Sequence, residues 1–245
     1  MPRFTCNLCG AACSDETLDR EIASCAKCGS NVRFRWIVHA LSVNLFGSSI
    51  PLKKFPRNKK IRGFGMSDPG AIAEQLVKRL DYRNTFYHRQ PRFDIMETPA
   101  DSAYDSVYDF VISSEVFEHV PPPVQTAFNN LAKVLKPGGF VVFSTPWESE
   151  GETIEHFPDL HDWQVVKLRS GHVLVNRTAE GRLQTFGGLT FHDGPGTTLE
   201  MRMFSHDGLI ANCRAAGFSE IAFAEDYPEY GIAWLPWSRP MLLRR

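Results

Sequence analysis

Nowhere in the 245 residues does an uninterrupted apolar run approach the roughly 18 that a membrane-crossing helix needs, so no membrane span is expected. The opening residues, Met1-Pro2-Arg3-Phe4-Thr5-Cys6, lack the apolar core of a signal peptide. Internal repeats and low-complexity tracts are also missing, and the 43% hydrophobic content is ordinary for a globular chain. These features predict a soluble, cytoplasmic protein whose length suits one sizeable domain and a small appendage. Net charge is nearly absent at −1, but the balance is uneven. Residues 1–62 hold 11 Lys and Arg against 4 Asp and Glu, a balance of +7, and the remainder holds 16 against 24, a balance of −8.

Cysteine is scarce outside one place: five of the six fall in the first 28 residues. Cys6-x2-Cys9 and Cys25-x2-Cys28, with fifteen residues between the pairs, have zinc-ribbon spacing. Two thiolates three apart on a tight turn can face one metal, and a second such turn completes a tetrahedral site. Gly10 and Gly29 follow the second cysteine of each pair, where such a turn often needs a positive φ. A fragment of about thirty residues has too little core to fold unaided, and metal ligation would supply the missing stability. Two disulfides or a redox-active pair are the competing readings. Cys13 is the odd thiol, and Cys213 shares a helical stripe with Leu209, Ile210 and Ala216 that reads as core.

After the cysteines come Asn31-Val32-Arg33-Phe34-Arg35-Trp36 and an apolar-periodic stretch to Leu45. Lys53 to Arg62 then packs six basic residues into ten, interrupted by Pro56. Basic residues interleaved with aromatics can pair phosphates and stack bases, so nucleic acid is one partner to weigh. A solvated linker into the next domain is the other reading.

Tyr108 to Val120, YDFVISSEVFEHV, opens with a short apolar run that reads as a strand buried on both faces and ends in Ser113, Ser114 and Glu115. A helix follows with apolar residues at Val124, Ala127, Phe128, Leu131 and Leu135. Lys136-Pro137-Gly138-Gly139 stops it, and Phe140 to Phe143 is a second buried strand. A strand–helix–strand unit with a polar switch at the carboxyl end of its first strand predicts a doubly wound α/β sheet, with ligands outside the carboxyl ends of the strands.

These residues resemble the class I S-adenosylmethionine-dependent methyltransferases, with Glu118-His119 as the "EH" pair and Leu135–Gly139 as the "LKPGG" turn. The resemblance implies a Rossmann-like sheet and S-adenosylmethionine as cofactor. It places the cofactor at Gly63, Gly65, Ser67, Asp68, Tyr87, His88, Asp94, Ile95, Ser113, Ser114 and Glu115. Gly63 stands where the family usually has an acidic residue, and Ser67 and Pro69 stand at its later glycines. Asp68 reads as the N-cap of a helix running to about Leu80. The acidic residue that usually meets the ribose at the end of the second strand is missing; Tyr87 or His88 stands there, and Asp94 follows. Together with "YRNTFYH", "DLHDW", "FHDGPGTTLEMRMFS" and "DYPEYGIAW", the chain resembles zinc-ribbon methyltransferases that accompany glycosyltransferases in bacterial surface-polysaccharide pathways. The expected organisation is a ribbon over 1–36, a helical and basic linker over 37–60, and a methyltransferase domain over 61–245.

Within that domain, about 147–203 is expected to form a lid over the acceptor. It is dense in Trp147, His156, Phe157, Asp159, His161, Asp162, Trp163, His192, Asp193, Gly194, Pro195 and Gly196. Val173–Val175 and Leu183–Phe186 read as a hairpin within it. A hydroxyl acceptor needs a base near neutral pKa, and His119, His156, His161 and His192 are the candidates, with His161 first, then His192, then His119. The leading function is O-methylation of a saccharide or other small polyhydroxylated acceptor. An RNA methyltransferase and a non-catalytic binding protein are the alternatives, and the oligomeric state is open.

Overall fold

Strand alternation and apolar run length set the architecture before any loop is considered. In Tyr108–Ser114 the odd and even side chains leave on opposite faces: Phe110 and Ile112 join one apolar cluster, Val111 the other, and all three are fully buried. Such a strand needs cover on both faces, and the helices supply it. The structure, a computed structural model, describes residues 3–14, 19–97, 105–192, 198–235 and 239–245.

The chain begins with a hairpin, β1 (Arg3–Thr5) and β2 (Ala12–Ser14), followed by α1 (Val32–Phe46). Then come β3 (Asn58–Met66), α2 (Gly70–Arg79), β4 (Leu80–Thr85), β5 (Tyr108–Ser114), α3 (Gln125–Val134) and β6 (Leu135–Ser144). The segment expected as a lid holds β7 (Trp147–Glu148), β8 (Ile154–Glu155), β9 (Asp162–Leu168), β10 (Gly171–Arg177), β11 (Leu183–Phe186), β12 (Phe191–His192) and β13 (Thr198–Leu199). It runs out into β14 (Arg202–Ser205), α4 (His206–Ala215), β15 (Glu220–Phe223) and β16 (Met241–Arg244). Asp193–Gly196, expected in the lid, lies outside the described residues.

The main sheet has the order β15-β16-β6-β5-β3-β4. β4, β3, β5 and β6 run parallel, and β16 is inserted antiparallel between β6 and β15. From β3 the chain goes outward to β4 and then returns to β5 on the other side. That reversal is the switch point at which doubly wound sheets bind ligands. This is a Rossmann-like, doubly wound sheet.

One cluster, with α1 and α2, covers the Phe110, Ile112, Phe140 and Val142 face; the other, with α3 and α4, covers Val111, Val141 and Phe143. The first cluster also contains Phe4, Cys6, Leu8 and Cys25. The cysteine region therefore shares a core with the sheet, and α1 crosses the boundary expected at residue 36. Arg35, fully buried, fastens it further by donating to Ser30 O, Ser24 Oγ and Gly231 O while lying over the Phe4 ring. Cys213 is fully buried with Leu209 in the second cluster, as its stripe predicts.

Two local expectations differ. The basic stretch carries the first half of β3, whose exposed residues Asn58–Lys60 precede the buried part. The expected hairpin, β10–β11, is one edge of a three-stranded sheet, β11-β10-β9. Its turn closes through Thr178 N to Arg182 O and Gly181 N to Thr178 O. Buried Arg202 ties β14 and β8 to the turn after β5, donating to Phe117 O and Val120 O and pairing with Glu155 at 2.7 Å. Among the described residues no helix is long and apolar enough to cross a membrane.

Candidate functional site

The loop after β3 is held by β4. Ser67, at φ 64°, donates from its backbone N to Thr85 O at 2.7 Å, and Thr85 Oγ1 donates to Gly65 O. Asn84 grips Asp68 twice, accepting from its N and donating to its O, each at 2.9 Å. Asp68 is not the N-cap of α2; that position is Pro69, with no side-chain cap. Its carboxyl instead turns inward and accepts a hydrogen bond from the Tyr82 hydroxyl, leaving Oδ1 buried without a hydrogen-bond partner. This explains Gly65: a Cβ there would overlap the Asp68 carboxyl and the Tyr82 hydroxyl. The space that a Cβ would need is taken by the chain's own side chains. Gly63 has the same relation to the Phe110 ring.

Beyond β4 the chain doubles back, with Phe86 N donating to Pro91 O and Phe93 N to Phe86 O. The fold-back brings Asp94 and Ile95 beside the end of β4, where the usual acidic residue is missing. Asp94 Oδ1 accepts from Met96 N, and Oδ2 meets Arg92 at 3.3 Å.

At the end of β5 the backbone of Glu115 takes φ 55°, uncommon for a residue with a side chain. Its carboxylate pairs with Arg20, while Ser114 Oγ accepts from Arg33 Nη1 at 2.7 Å and contacts Ser144 Oγ at 2.8 Å. Ser113 is fully buried in the sheet. Glu118 is buried too; loss of solvent, with Glu115 nearby, pushes its carboxyl up to about 8, and its Oε2 accepts from the Thr145 hydroxyl at 3.0 Å.

Three histidines gather around Glu200 and the turn after β5. Glu200 receives His156 Nε2 at 3.0 Å on one oxygen and His192 Nε2 at 2.9 Å on the other. The His192 ring packs edge-on to His119, centroids 4.8 Å apart. His119 Nδ1 lies 2.9 Å from Leu199 O, an acceptor, so this nitrogen carries the proton. Burial lowers the His119 pKa and favours the neutral ring. His161 is elsewhere: exposed at the start of β9, with its backbone N donating to Asn176 Oδ1.

The four paired cysteines converge. Their sulfurs all lie within 4.8 Å of one another, with Cys6–Cys28 and Cys9–Cys25 at 3.7 Å. Sulfurs on a tetrahedron with Zn–S of about 2.3 Å are about 3.8 Å apart, whereas a disulfide needs about 2.05 Å. The donor set fits a metal of zinc type. Gly10 and Gly29 have φ of 77° and 68°, each donating to the first cysteine's carbonyl of its pair. Cys13 stands outside the cluster.

A cavity of about 1160 Å³ opens across the carboxyl ends of β3, β4 and β5. Ser67, Asp68, Tyr87, His88, Asp94, Ile95, Ser114, Glu115, His119 and His192 line it; Gly63, Gly65, Ser113 and His161 are not in its wall. The size exceeds the roughly 300–1,000 Å³ usual for one ligand, leaving room for a second. Sequence reasoning missed Arg20, Glu21 and Glu200. The Arg33–Phe34 wall was visible only as part of a basic, aromatic stretch with no destination.

A family model described as a methyltransferase domain matches residues 53–187, more than half of the chain. The chain belongs to this methyltransferase domain family. Its sequence is also similar to the ubiquinone biosynthesis O-methyltransferase of Pectobacterium atrosepticum, 46% identical over 52 residues. That alignment covers 21% of each protein, so the chain spans about a fifth of the length of the curated relative it matches. Among solved structures, the methyltransferase resembles an amino pentose methyltransferase, CalS10, of Micromonospora echinaspora (17% identity, 76% of this chain and 83% of that one, TM-score 0.43). It also resembles the 1,6-didemethyltoxoflavin-N1-methyltransferase of Burkholderia thailandensis (15% identity, 85% and 76% covered, TM-score 0.44).

The buried Asp68 generates a prediction. Burial raises its carboxyl from 3.8 to about 7, against the Tyr82 hydrogen bond and the Arg33 charge that pull it down. Between those values the folded chain keeps a proton that the unfolded chain releases, so raising the pH through this window removes stability. Asp68→Asn lacks that loss. Urea titrations should show the variant gaining roughly 2–3 kcal/mol on wild type between about pH 5 and about pH 8. A difference that stays constant with pH would mean that Asp68 is ionised in the folded protein throughout.

Proposed function

We infer that the protein is an S-adenosylmethionine-dependent methyltransferase acting on a hydroxyl of a small polyhydroxylated acceptor, with a structural zinc in its N-terminal module. The observation that carries this reading is the juxtaposition of the His119–His192–Glu200 cluster with a cavity at the switch point of a methyltransferase sheet.

The residues present fit the cofactor. Phe86, Phe93, Ile95 and Met96 offer an apolar slot for the adenine, and Asp94 a carboxylate for the ribose hydroxyls. The unpartnered Asp68 Oδ1 is a buried polar atom in the wall between them and the charged residues. When bound, the cofactor supplies an electrophilic methyl group on a sulfonium. The chain must hold an acceptor oxygen in line with that carbon and remove its proton. His192 suits the proton removal. Glu200 takes His192 Nε2 at 2.9 Å, and the carboxylate stabilises the ring when it is charged. Neutral His119 packs beside it. His192, with Glu200 positioning it, therefore replaces His161 as first choice.

A small acceptor is favoured over RNA because several cations of the +7 N-terminal region are already engaged by groups of this chain. Arg20, Arg33 and Arg35 bind groups of this chain, Lys59 caps carbonyls at Val77 and Leu80, and Arg62 meets Asp81. A saccharide acceptor agrees with the polar, aromatic lid wall of Trp163, Phe191 and the histidines, and with the resemblance to methyltransferases of surface-polysaccharide pathways.

With an acceptor found by screening nucleotide sugars and glycans against labelled S-adenosylmethionine, His192→Ala should cut turnover by roughly two to four orders of magnitude. Its affinity for S-adenosylhomocysteine should stay near that of wild type. Full turnover in His192→Ala would contradict the base assignment, and failure of wild type to bind S-adenosylhomocysteine would contradict the cofactor reading. Elemental analysis of protein purified without chelator should give about one zinc per chain; folded protein with none would rule out the structural metal.

A further inference from the structure

The cysteine module does more than pack beside the sheet: it contributes two guanidiniums to the cavity wall. Arg20 lies between the two cysteine pairs, and Arg33 sits in the first turn of α1, five residues after Cys28. Glu21 clamps them together, taking Arg33 through two bonds of 2.8 and 2.6 Å and Arg20 at 3.0 Å. Arg33 then reaches Ser114 and Arg20 reaches Glu115, both at the carboxyl end of β5. Only 14% and 16% of the two arginine side chains are exposed, so the charges sit where solvent screens them weakly.

A short chain of bonds ties this lattice to the thiols. Ser30 O accepts from Ser24 N and Cys25 N, closing the second cysteine turn, and Ser30 Oγ lies 3.2 Å from Cys6 Sγ. The next residue, Asn31, caps α1 by accepting from Phe34 N and donates to Glu21 O. Arg33 N donates to Arg20 O. The thiol cluster thus fixes both the start of α1 and the segment that carries Arg20 and Glu21.

The wall presents paired charges of both signs, which matches a zwitterion better than a simple anion. On the cofactor reading above, the ligand has one such end, its α-ammonium and α-carboxylate, and the apolar slot at Phe86, Phe93 and Met96 is on the side of β4. We propose that Arg33 and Arg20, held by the metal-bound module, receive the amino-acid end of the cofactor, so that the metal sets the affinity for that end of the ligand. The proposal rests on S-adenosylmethionine being the cofactor. It makes the module a part of the binding site, with the metal acting through the arginines it positions.

Calorimetry with two probes tests it. S-adenosylhomocysteine carries the amino-acid end; 5′-methylthioadenosine keeps the adenosine and thioether and lacks that end. The zinc-loaded protein should bind the first more tightly. In zinc-loaded Arg33→Gln, affinity for S-adenosylhomocysteine should fall about tenfold to a hundredfold, the usual cost of a lost charged hydrogen bond, with methylthioadenosine unaffected. Protein stripped with a chelator should show the same selective loss. Equal discrimination in wild type and Arg33→Gln would overturn the arginine assignment. Loss of both ligands on stripping would overturn the selective role of the metal and make it a support of the whole fold. If neither probe binds wild type, the cofactor reading itself fails, a result distinct from either.

Discussion

The carboxyl end of β5 is the place on which the rest of the site depends. Ser114 meets Ser144 of β6 on one side and Arg33 of α1 on the other, and Glu115, bent into a left-handed backbone, meets Arg20. Buried charge is costly unless each member is paired, and here every pair joins residues far apart in sequence. The cysteine module cannot shift without unpairing charges at the ligand end of the sheet. The common core of Phe4, Cys6 and Cys25 with Phe110 and Ile112 makes the same connection through apolar contact.

Burial also divides the acids of the site by role. Asp68 and Glu118 are withdrawn from water and hold their protons to about 7 and about 8. Glu200 spans two histidine rings, and Glu21 two arginines. The first pair shapes the loop and the turn around the cavity, Asp68 through Tyr82 and Glu118 through Thr145. The second pair orients the groups that face the interior. Position and solvent access separate four carboxyls of similar chemistry into two withdrawn struts and two bridging clamps.

Local pattern made the β5–α3–β6 unit legible, because a strand buried on both faces and an amphipathic helix have different periods. The hairpin β10–β11 and the paired cysteines with their glycines were legible for the same reason: each is settled within a few residues. What was hidden depends on long-range placement. Arg33 finds its partner 81 residues away, and Glu200 is joined to His156 over 44 residues. Asp68 looked like a helix cap because caps are local, but Tyr82, brought alongside by β4, took its carboxyl. His161 looked attractive beside Asp162, yet the start of β9 turns it to solvent, and the cluster of His119, His156 and His192 is assembled from three separate segments. The substituted glycine loop follows the same logic, since Gly65 is needed for the chain's own Asp68 and Tyr82.

One cavity is walled jointly by the cysteine module and the methyltransferase sheet. Hydrogen exchange of the full zinc-loaded chain, with and without S-adenosylhomocysteine, tests this most directly. Ligand should slow exchange in two separate stretches: residues 19–34 of the module and the sheet loops at 66–70, 86–96 and 114–116. Slowing confined to the sheet loops, with the module exchanging as before, would contradict the joint wall.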